Sequence, residues 1–272
     1  CKPYKHLFMA DNGGAADGNP NNLAPNEVIL PILQDGAKTR SWGVSHFLIA
    51  GTHKKDMTNY GSTEEWKGPR CCETLVAKFF PNTASAPFVD ETEMTVAAKD
   101  DRALMFGKGR TVSTGKNKDF AEGFSCAKFT NVRADGGQTS DSAFPDMDVP
   151  FMRAAEAYLT YAEAVTRGAG GTVTPENAAD AINELRKRAN AEEKDAYTLE
   201  QICDEWAREF YFEGRRRMDL IRFGKFAGQS DYNWDWKGGS MNGTSFPEYR
   251  NLYPIPANDL NANPNLKQNP GY

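Results

Sequence analysis

The sequence lacks the features that assign many chains to a functional class at once. Its 272 residues contain no apolar run near the roughly 20 residues that a membrane-spanning helix needs. The motifs G-x-S-x-G, G-x-x-x-x-G-K-[ST] and G-x-G-x-x-G are absent as well. The sequence therefore offers no recognisable nucleophile, general base or nucleotide-binding loop, and we predict neither catalysis nor a cofactor.

Metal-binding patterns are equally scarce. The three histidines are isolated from cysteine and from one another, and the five cysteines match neither a zinc spacing nor a C-x-x-C motif. Asp141, Asp146 and Asp148 crowd one loop and could offer oxygens to a hard cation. They lack the ligand order of an EF-hand, so solvated turn residues are the favoured interpretation. We predict no metal site.

An excess of positive charge is also missing, since 32 Lys and Arg stand against 37 Asp and Glu for a net charge of −5. Binding of nucleic acid relies on clustered Lys and Arg, and the single basic run, Arg215–Arg217, has acidic neighbours. We predict no nucleic-acid partner. Hydrophobic residues at 39% and charged residues at 25% instead indicate a folded globular chain.

The composition and hydrophobic pattern of the sequence change near residue 150. Residues 1–150 are short segments interrupted by Gly, Pro, Asn and Asp, which predicts a loop-rich region with a few short strands that faces ligand. Within it, Glu27–Leu33 predicts a short buried strand broken by Pro31, and Ala103–Phe106 and Cys126–Val132 are further candidate strands. Residues 151–272 are predicted to form a helical region followed by a proline-rich tail.

Three helices are predicted after residue 150. Apolar residues recur at helical spacing from Met152 to Ala162 and again from Ala178 to Ala189. The third helix opens at Thr198, where Gln201 completes a capping box, and its apolar face runs from Ile202 to Phe210. Helix pairs of this kind build tetratricopeptide-type stacks and do not stand alone, so we expect more helices than this chain supplies.

Three glutamates, Glu205, Glu209 and Glu213, share one face of the third helix. Paired carboxylates could be catalytic, but a glycosidase needs two carboxyls on opposite sides of the scissile bond. Such a pair usually comes from separate elements, and a single row on one helix does not provide it. Arg208 and Arg215–Arg217 lie within reach, so the row predicts a buried or half-buried ion-pair network.

Aromatic residues provide the best candidate for a binding site. Trp42, Tyr60 and Trp66 fall in or beside polar, Gly-containing loops, with Asn59 and Arg70 close by in sequence. Flat rings cover the apolar face of a sugar, while amides and guanidinium groups bind its hydroxyls. We predict a glycan-binding site at these five residues. The alternative is that each ring packs its loop onto the core.

Four ordered motifs in the second half carry a resemblance to a known family. They are FMRAAEAYLTYAEA at residues 151–164, AINELRKRA at 181–189, EWAREFYFEGRRRMDLIRF at 205–223, and LYPIP with NPNL and QNPGY between 252 and 272. This set resembles the signature of the SusD/RagB family over about 120 residues. The first 150 residues resemble the family more loosely.

The resemblance implies a mainly α fold, with tetratricopeptide-like helices, extensive irregular loops and a few short strands. It also implies a lipid-anchored protein on the outer face of the outer membrane. Such a protein binds oligosaccharide without cleaving it and delivers it to a SusC-like TonB-dependent transporter. Helices near the family's N-terminus are absent, so we expect the C-terminal portion of a longer protein. Cys1 is therefore discounted as the lipidated residue, because its neighbours do not resemble a family N-terminus.

Three alternatives stay open at this point. Some members of the family bind peptide, so a peptide-binding importer component is one. A glycan hydrolase is another, and it requires two carboxylates that face each other across a cleft. The third is a helical scaffold for protein partners, which predicts a groove lined by helix faces and no exposed aromatic platform in the loops.

Overall fold

The structure, a computed structural model, describes residues 1–168, 175–228 and 230–272. Its helices are α1 (Val44–Thr52), α2 (Glu73–Phe79), α3 (Glu91–Ala98), α4 (Ala154–Thr166), α5 (Pro175–Arg188), α6 (Leu199–Phe210), α7 (Arg216–Arg222) and α8 (Ala257–Ala262). Its strands are β1 (Val28–Ile32), β2 (Met105–Phe106), β3 (Ser125–Cys126) and β4 (Val149–Arg153). The predicted mainly α fold with a few short strands is confirmed.

The three predicted helices after residue 150 are α4, α5 and α6. At the start of α6 the N–H of Gln201 donates to Oγ1 of Thr198 at 3.2 Å, and the N–H of Thr198 donates to Oε1 of Gln201 at 2.9 Å. This confirms the capping box, which satisfies two backbone donors that the first helical turn would otherwise leave free. Ile202, Trp206 and Phe210 form the buried face of α6, and α4 packs against both α5 and α6.

Strand β1 forms where the sequence predicts it, but the prediction that it is buried is wrong. It pairs antiparallel with β4 alone, and its register is irregular on both sides of Leu30, next to Pro31. Ile29 is 67% exposed and Leu33, just beyond the strand, is 70% exposed. A two-stranded sheet has no further strand to cover its edge, and among the described residues nothing shields these side chains from solvent.

Strands β2 and β3 pair with each other and are shorter than the sequence predicts. They lie in a hydrophobic core that includes Tyr4, Phe8, Phe124 and Phe129. The ring of Phe8 lies 5.3 Å from each of the rings of Tyr4 and Phe129, in edge-to-face geometry. The loop-rich first part of the chain is therefore held by its own aromatic core rather than by an extended sheet.

The chain divides into two compact units, Cys1–Glu213 and Gly214–Tyr272. The first contains the loop-rich part together with α1 to α6, and the second contains α7, α8 and the tail. The division at residue 150 between a ligand-facing region and a helical region concerns function, and it stays a prediction. In the part of the chain that the structure describes, no helix is long and apolar enough to cross a membrane.

Candidate functional site

The three glutamates belong to a buried ion-pair network, but the prediction that all three share a helix face is wrong for Glu213, because α6 ends at Phe210. Glu209 is fully buried, and its Oε2 lies 2.5 Å from Nη2 of Arg188 and 3.2 Å from Nη1 of Arg102, while its Oε1 pairs with Arg153. Glu213 Oε1 lies 2.7 Å from Nη2 of Arg153. The cations of the network are Arg102, Lys128, Arg153, Arg186, Arg188 and Arg208.

Burial by itself raises the pKa of Glu209, but the guanidinium groups of Arg188, Arg153 and Arg102 outweigh it and hold that pKa well below the ordinary value. The carboxylate stays ionised and paired, which confirms the structural interpretation of the row. Arg208 is confirmed as a partner, since its Nη1 lies 3.1 Å from Glu205. Arg215 lies 3.4 Å from Asp219, and pairing of Arg215–Arg217 with the glutamate row stays a prediction.

Five rings form an exposed aromatic cluster, defined by Trp42, His46, Phe47, Trp66 and Phe144. The indoles of Trp42 and Trp66 are 58% and 39% exposed, with ring centroids 6.2 Å apart and planes inclined by 39°. His46 lies beneath them, 5.0 Å from Trp42 and 4.9 Å from Trp66. The two indoles therefore offer a bent aromatic surface to solvent, supported from below by buried rings.

Helix α1 and the loop after it set the position of Trp66. His46 and Phe47 lie on α1, and the last turn of that helix accepts hydrogen bonds from the loop. The N–H of Trp66 donates to the carbonyl of Ala50 at 2.7 Å, and the N–H of Gly68 donates to that of Gly51 at 2.8 Å. These two backbone bonds fix the loop against α1, so the indole is held in place before any ligand arrives.

Phe144 comes from a distant loop and completes the base of the aromatic cluster. Its ring centroid lies 4.9 Å from that of Trp42 and 4.7 Å from the guanidinium carbon of Arg40. Arg40 also pairs with Asp141 at 3.1 Å. Gly36 permits this approach, because a Cβ there would lie 2.1 Å from the carbonyl oxygen of Phe144.

Two of the five predicted site residues, Trp42 and Trp66, come together in the aromatic cluster. Tyr60 does not join them: it is only 4% exposed, its hydroxyl donates to the carbonyl of Glu64, and its ring centroid lies 4.4 Å from that of His53. Packing of the loop onto the core, the alternative weighed for each aromatic ring, therefore describes Tyr60.

Asn59 and Arg70 also lie outside the cluster. Asn59 is exposed, accepts a hydrogen bond from the N–H of Gly61 at 3.0 Å, and lines a cavity of about 520 Å³ that neither Trp42 nor Trp66 borders. Arg70 donates to the carbonyls of Glu122 and Gly68, both at 2.7 Å, and so joins two loops. Both residues form hydrogen bonds with the backbone of loops in the structure.

The sequence did not single out His46 and Phe144 as members of the site. Phe144 lies 78 residues from Trp66, and no local pattern connects the two. Burial lowers the pKa of His46, although the charge of Glu64 and the backbone of Ala143 act in the opposite direction. A neutral imidazole suits a position under two indoles, since it adds no charge to desolvate.

No group of His, Cys, Asp and Glu in the described residues is arranged to hold a metal ion. Asp141 and Asp146 accept backbone hydrogen bonds, from Ala143 and Phe144 and from Gly36 and Ser140 respectively. Asp148 departs from the solvated turn that the sequence favours. It is only 7% exposed, and burial raises its pKa to about 6, although the N–H of Gln34 donates to it.

Comparison with known proteins decides the family. A sequence model of the SusD family matches residues 12–272. The chain is also 44% identical over 303 residues to the starch-binding protein SusD of Bacteroides thetaiotaomicron, covering 100% of this chain and 53% of that protein.

The chain belongs to the SusD family. Solved structures agree on the fold. A SusD-like protein from Bacteroides fragilis superposes with a TM-score of 0.62 at 16% identity, covering 99% of this chain and 57% of that one. Surface glycan-binding protein A from Bacteroides thetaiotaomicron gives a TM-score of 0.57 at 24% identity, covering 90% and 52%. This SusD-family chain thus spans about half the length of the relatives it matches, and the family resemblance seen in the sequence is confirmed.

Proposed function

We propose that this SusD-family chain binds a glycan on the aromatic cluster and does not cleave it. The observation that carries the proposal is the pair of exposed indoles, Trp42 and Trp66, fixed side by side at an inclination of 39°. Indole faces cover the apolar face of a pyranose, and two inclined faces fit neighbouring sugars of a chain that curves. Among the described residues the indole N–H groups have no partner, so both can donate to hydroxyls.

The similarity to a starch-binding relative favours a neutral glucan as the ligand. In the longer protein, we propose that the glycan passes to a SusC-like TonB-dependent transporter. The protein is then lipid-anchored at the extracellular face of the outer membrane. This part of the proposal rests on family membership. Purification of the full-length protein tests it: a large outer-membrane barrel that co-purifies would support the transporter partner, and its absence would count against it.

Binding without hydrolysis agrees with the carboxylates near the aromatic cluster. The N–H groups of Phe144 and Ala143 hold the pKa of Asp141 below its ordinary value. The amide of Lys55 and the ammonium group of Lys67 do the same for the pKa of Glu65. A glycosidase needs a general acid with a raised pKa, and neither carboxyl meets that need.

Calorimetry with maltoheptaose tests the proposal. Trp42→Ala and Trp66→Ala each remove a stacking surface worth about 1–1.5 kcal/mol, so we expect roughly tenfold weaker binding from each. Phe88→Ala is the matched control, because Phe88 is 57% exposed and lies outside the cluster. Unchanged affinity in both Trp variants contradicts the proposed site. Silence against a neutral polysaccharide panel with binding to peptide, or release of reducing sugar, contradicts the proposed function.

A further inference from the structure

The compact unit Gly214–Tyr272 contains a second cavity, of about 500 Å³. This volume lies within the range of small-molecule sites. Its lining includes four aromatic rings and two guanidinium groups. These residues are Arg217, Phe226, Phe246, Arg250, Tyr253 and Tyr272.

The tail that forms this cavity is held by side-chain hydrogen bonds to its own backbone. Gln268 accepts from the N–H of Ile255 at 2.8 Å and donates to the carbonyl of Ile255 at 2.9 Å. Asn269 donates to the carbonyl of Tyr253 at 2.7 Å, and the hydroxyl of Tyr272 donates to that of Leu252 at 2.8 Å. The cavity is therefore built from ordered backbone, which reduces the cost of ordering it around a ligand.

Tyr253 offers a sugar-sized surface inside the cavity. The guanidinium carbon of Arg217 lies 3.8 Å from its ring centroid and covers one face. The residue is nevertheless 69% exposed, so the rest of the ring faces solvent. Arg217 itself is anchored, because its Nη2 donates to the carbonyls of Arg250 and Asn251 at 2.9 and 3.1 Å.

Positive charge in the cavity is not neutralised by the protein. Neither Arg217 nor Arg250 forms an ion pair with a carboxylate among the described residues. The guanidinium of Arg250 is exposed and lies 5.2 Å from the ring of Tyr249 and 5.4 Å from that of Tyr272. Residues 214–272 carry eight Lys and Arg against five Asp and Glu, although the whole chain has a net charge of −5.

We propose that this cavity is a second saccharide site, selective for a sugar that carries a carboxylate. The carboxylate binds the free N–H groups of Arg250 and Arg217, since a guanidinium fork matches its two oxygens. The sugar ring packs on the exposed face of Tyr253. This inference goes beyond the neutral-glycan site at the aromatic cluster and does not depend on it.

Trigalacturonic acid is the probe, and its fully methyl-esterified form is the uncharged control ligand. We expect the acid to bind and the ester to bind at least tenfold more weakly, because the ester cannot form charge-assisted hydrogen bonds. Arg250→Gln should weaken binding of the acid about tenfold, and Tyr253→Ala should weaken both forms. Lys267→Gln is the matched control: it removes the same charge from an exposed residue outside the cavity lining.

Several outcomes overturn this inference. One is that the acid does not bind, and another is that the acid and the ester bind equally well. A third is that Arg250→Gln and Lys267→Gln lose the same affinity for the acid, which indicates non-specific attraction to positive charge. Loss of acid binding in Trp66→Ala assigns it to the aromatic cluster, and tighter binding of an acidic peptide assigns the cavity to a protein segment. Failure here leaves the neutral-glycan proposal intact, because Arg250→Gln is expected to bind maltoheptaose like the parent.

Discussion

Replacement of Glu209 by Gln tests the ion-pair network most directly. The substitution keeps the shape of the side chain and removes the negative charge that Arg102, Arg153 and Arg188 share. Removing one partner of a buried ion pair costs about 3–5 kcal/mol, because the remaining charge stays desolvated. Each arginine keeps another carboxylate nearby (for Arg188 this is Glu27, at 2.7 Å). We therefore expect a loss near the lower end, about 3 kcal/mol.

Urea denaturation at pH 7 measures this loss, with intrinsic tryptophan fluorescence as the signal, to which the buried Trp206 of the same helix contributes. The lowered pKa of Glu209 means that its contribution is present above the ordinary value of 4.5 and disappears as the pH falls. The difference between parent and variant should therefore shrink in acid.

Glu184→Gln is the matched control for Glu209→Gln. Its carboxylate is 59% exposed and pairs with Lys187 at 3.3 Å, so its loss should stay below about 1 kcal/mol. A Glu209→Gln variant that unfolds at the same urea concentration as Glu184→Gln refutes the network as a source of stability.

Two further predictions concern Asp148 and Gly36. Asp148→Asn should stabilise the protein by roughly 1–2 kcal/mol at pH 7. The parent loses stability as the pH rises from 3.8 to about 6, the raised pKa of Asp148, whereas the amide of the variant does not titrate. Melting temperatures of both proteins between pH 4 and 7 check this prediction. A constant difference between the two melting temperatures over that range contradicts it. Gly36→Ala should displace Phe144, lower the free energy of unfolding by about 1–3 kcal/mol and weaken maltoheptaose binding. Gly43→Ala is the control, because the nearest atom to a Cβ at Gly43 lies 3.6 Å away, and it should leave stability and binding unchanged. Urea titration measures the stability and calorimetry measures the binding.

Trp66 and Tyr60 show how far the sequence could define the site. Both rings lie in the same polar stretch, and composition gave them the same prediction. The structure exposes one and buries the other, because the backbone of Trp66 is fixed to the end of α1 while Tyr60 packs on His53. Stacking partners such as Phe144 are separated from Trp42 by about a hundred residues, so only the folded chain brings them together.

The sequence alone determined what depends on neighbours a few residues away. The Thr198–Gln201 capping box and the apolar face of α6 are patterns of three and four residues, and their hydrogen bonds and spacing form within one helix. Tertiary structure decided burial and charge pairing. Arg102 and Arg153 reach Glu209 from distant segments, and β1 is exposed because β4 is its only neighbour in the described chain. Exposure and ion pairing depend on which remote segments pack against a residue, and the local sequence does not determine that packing.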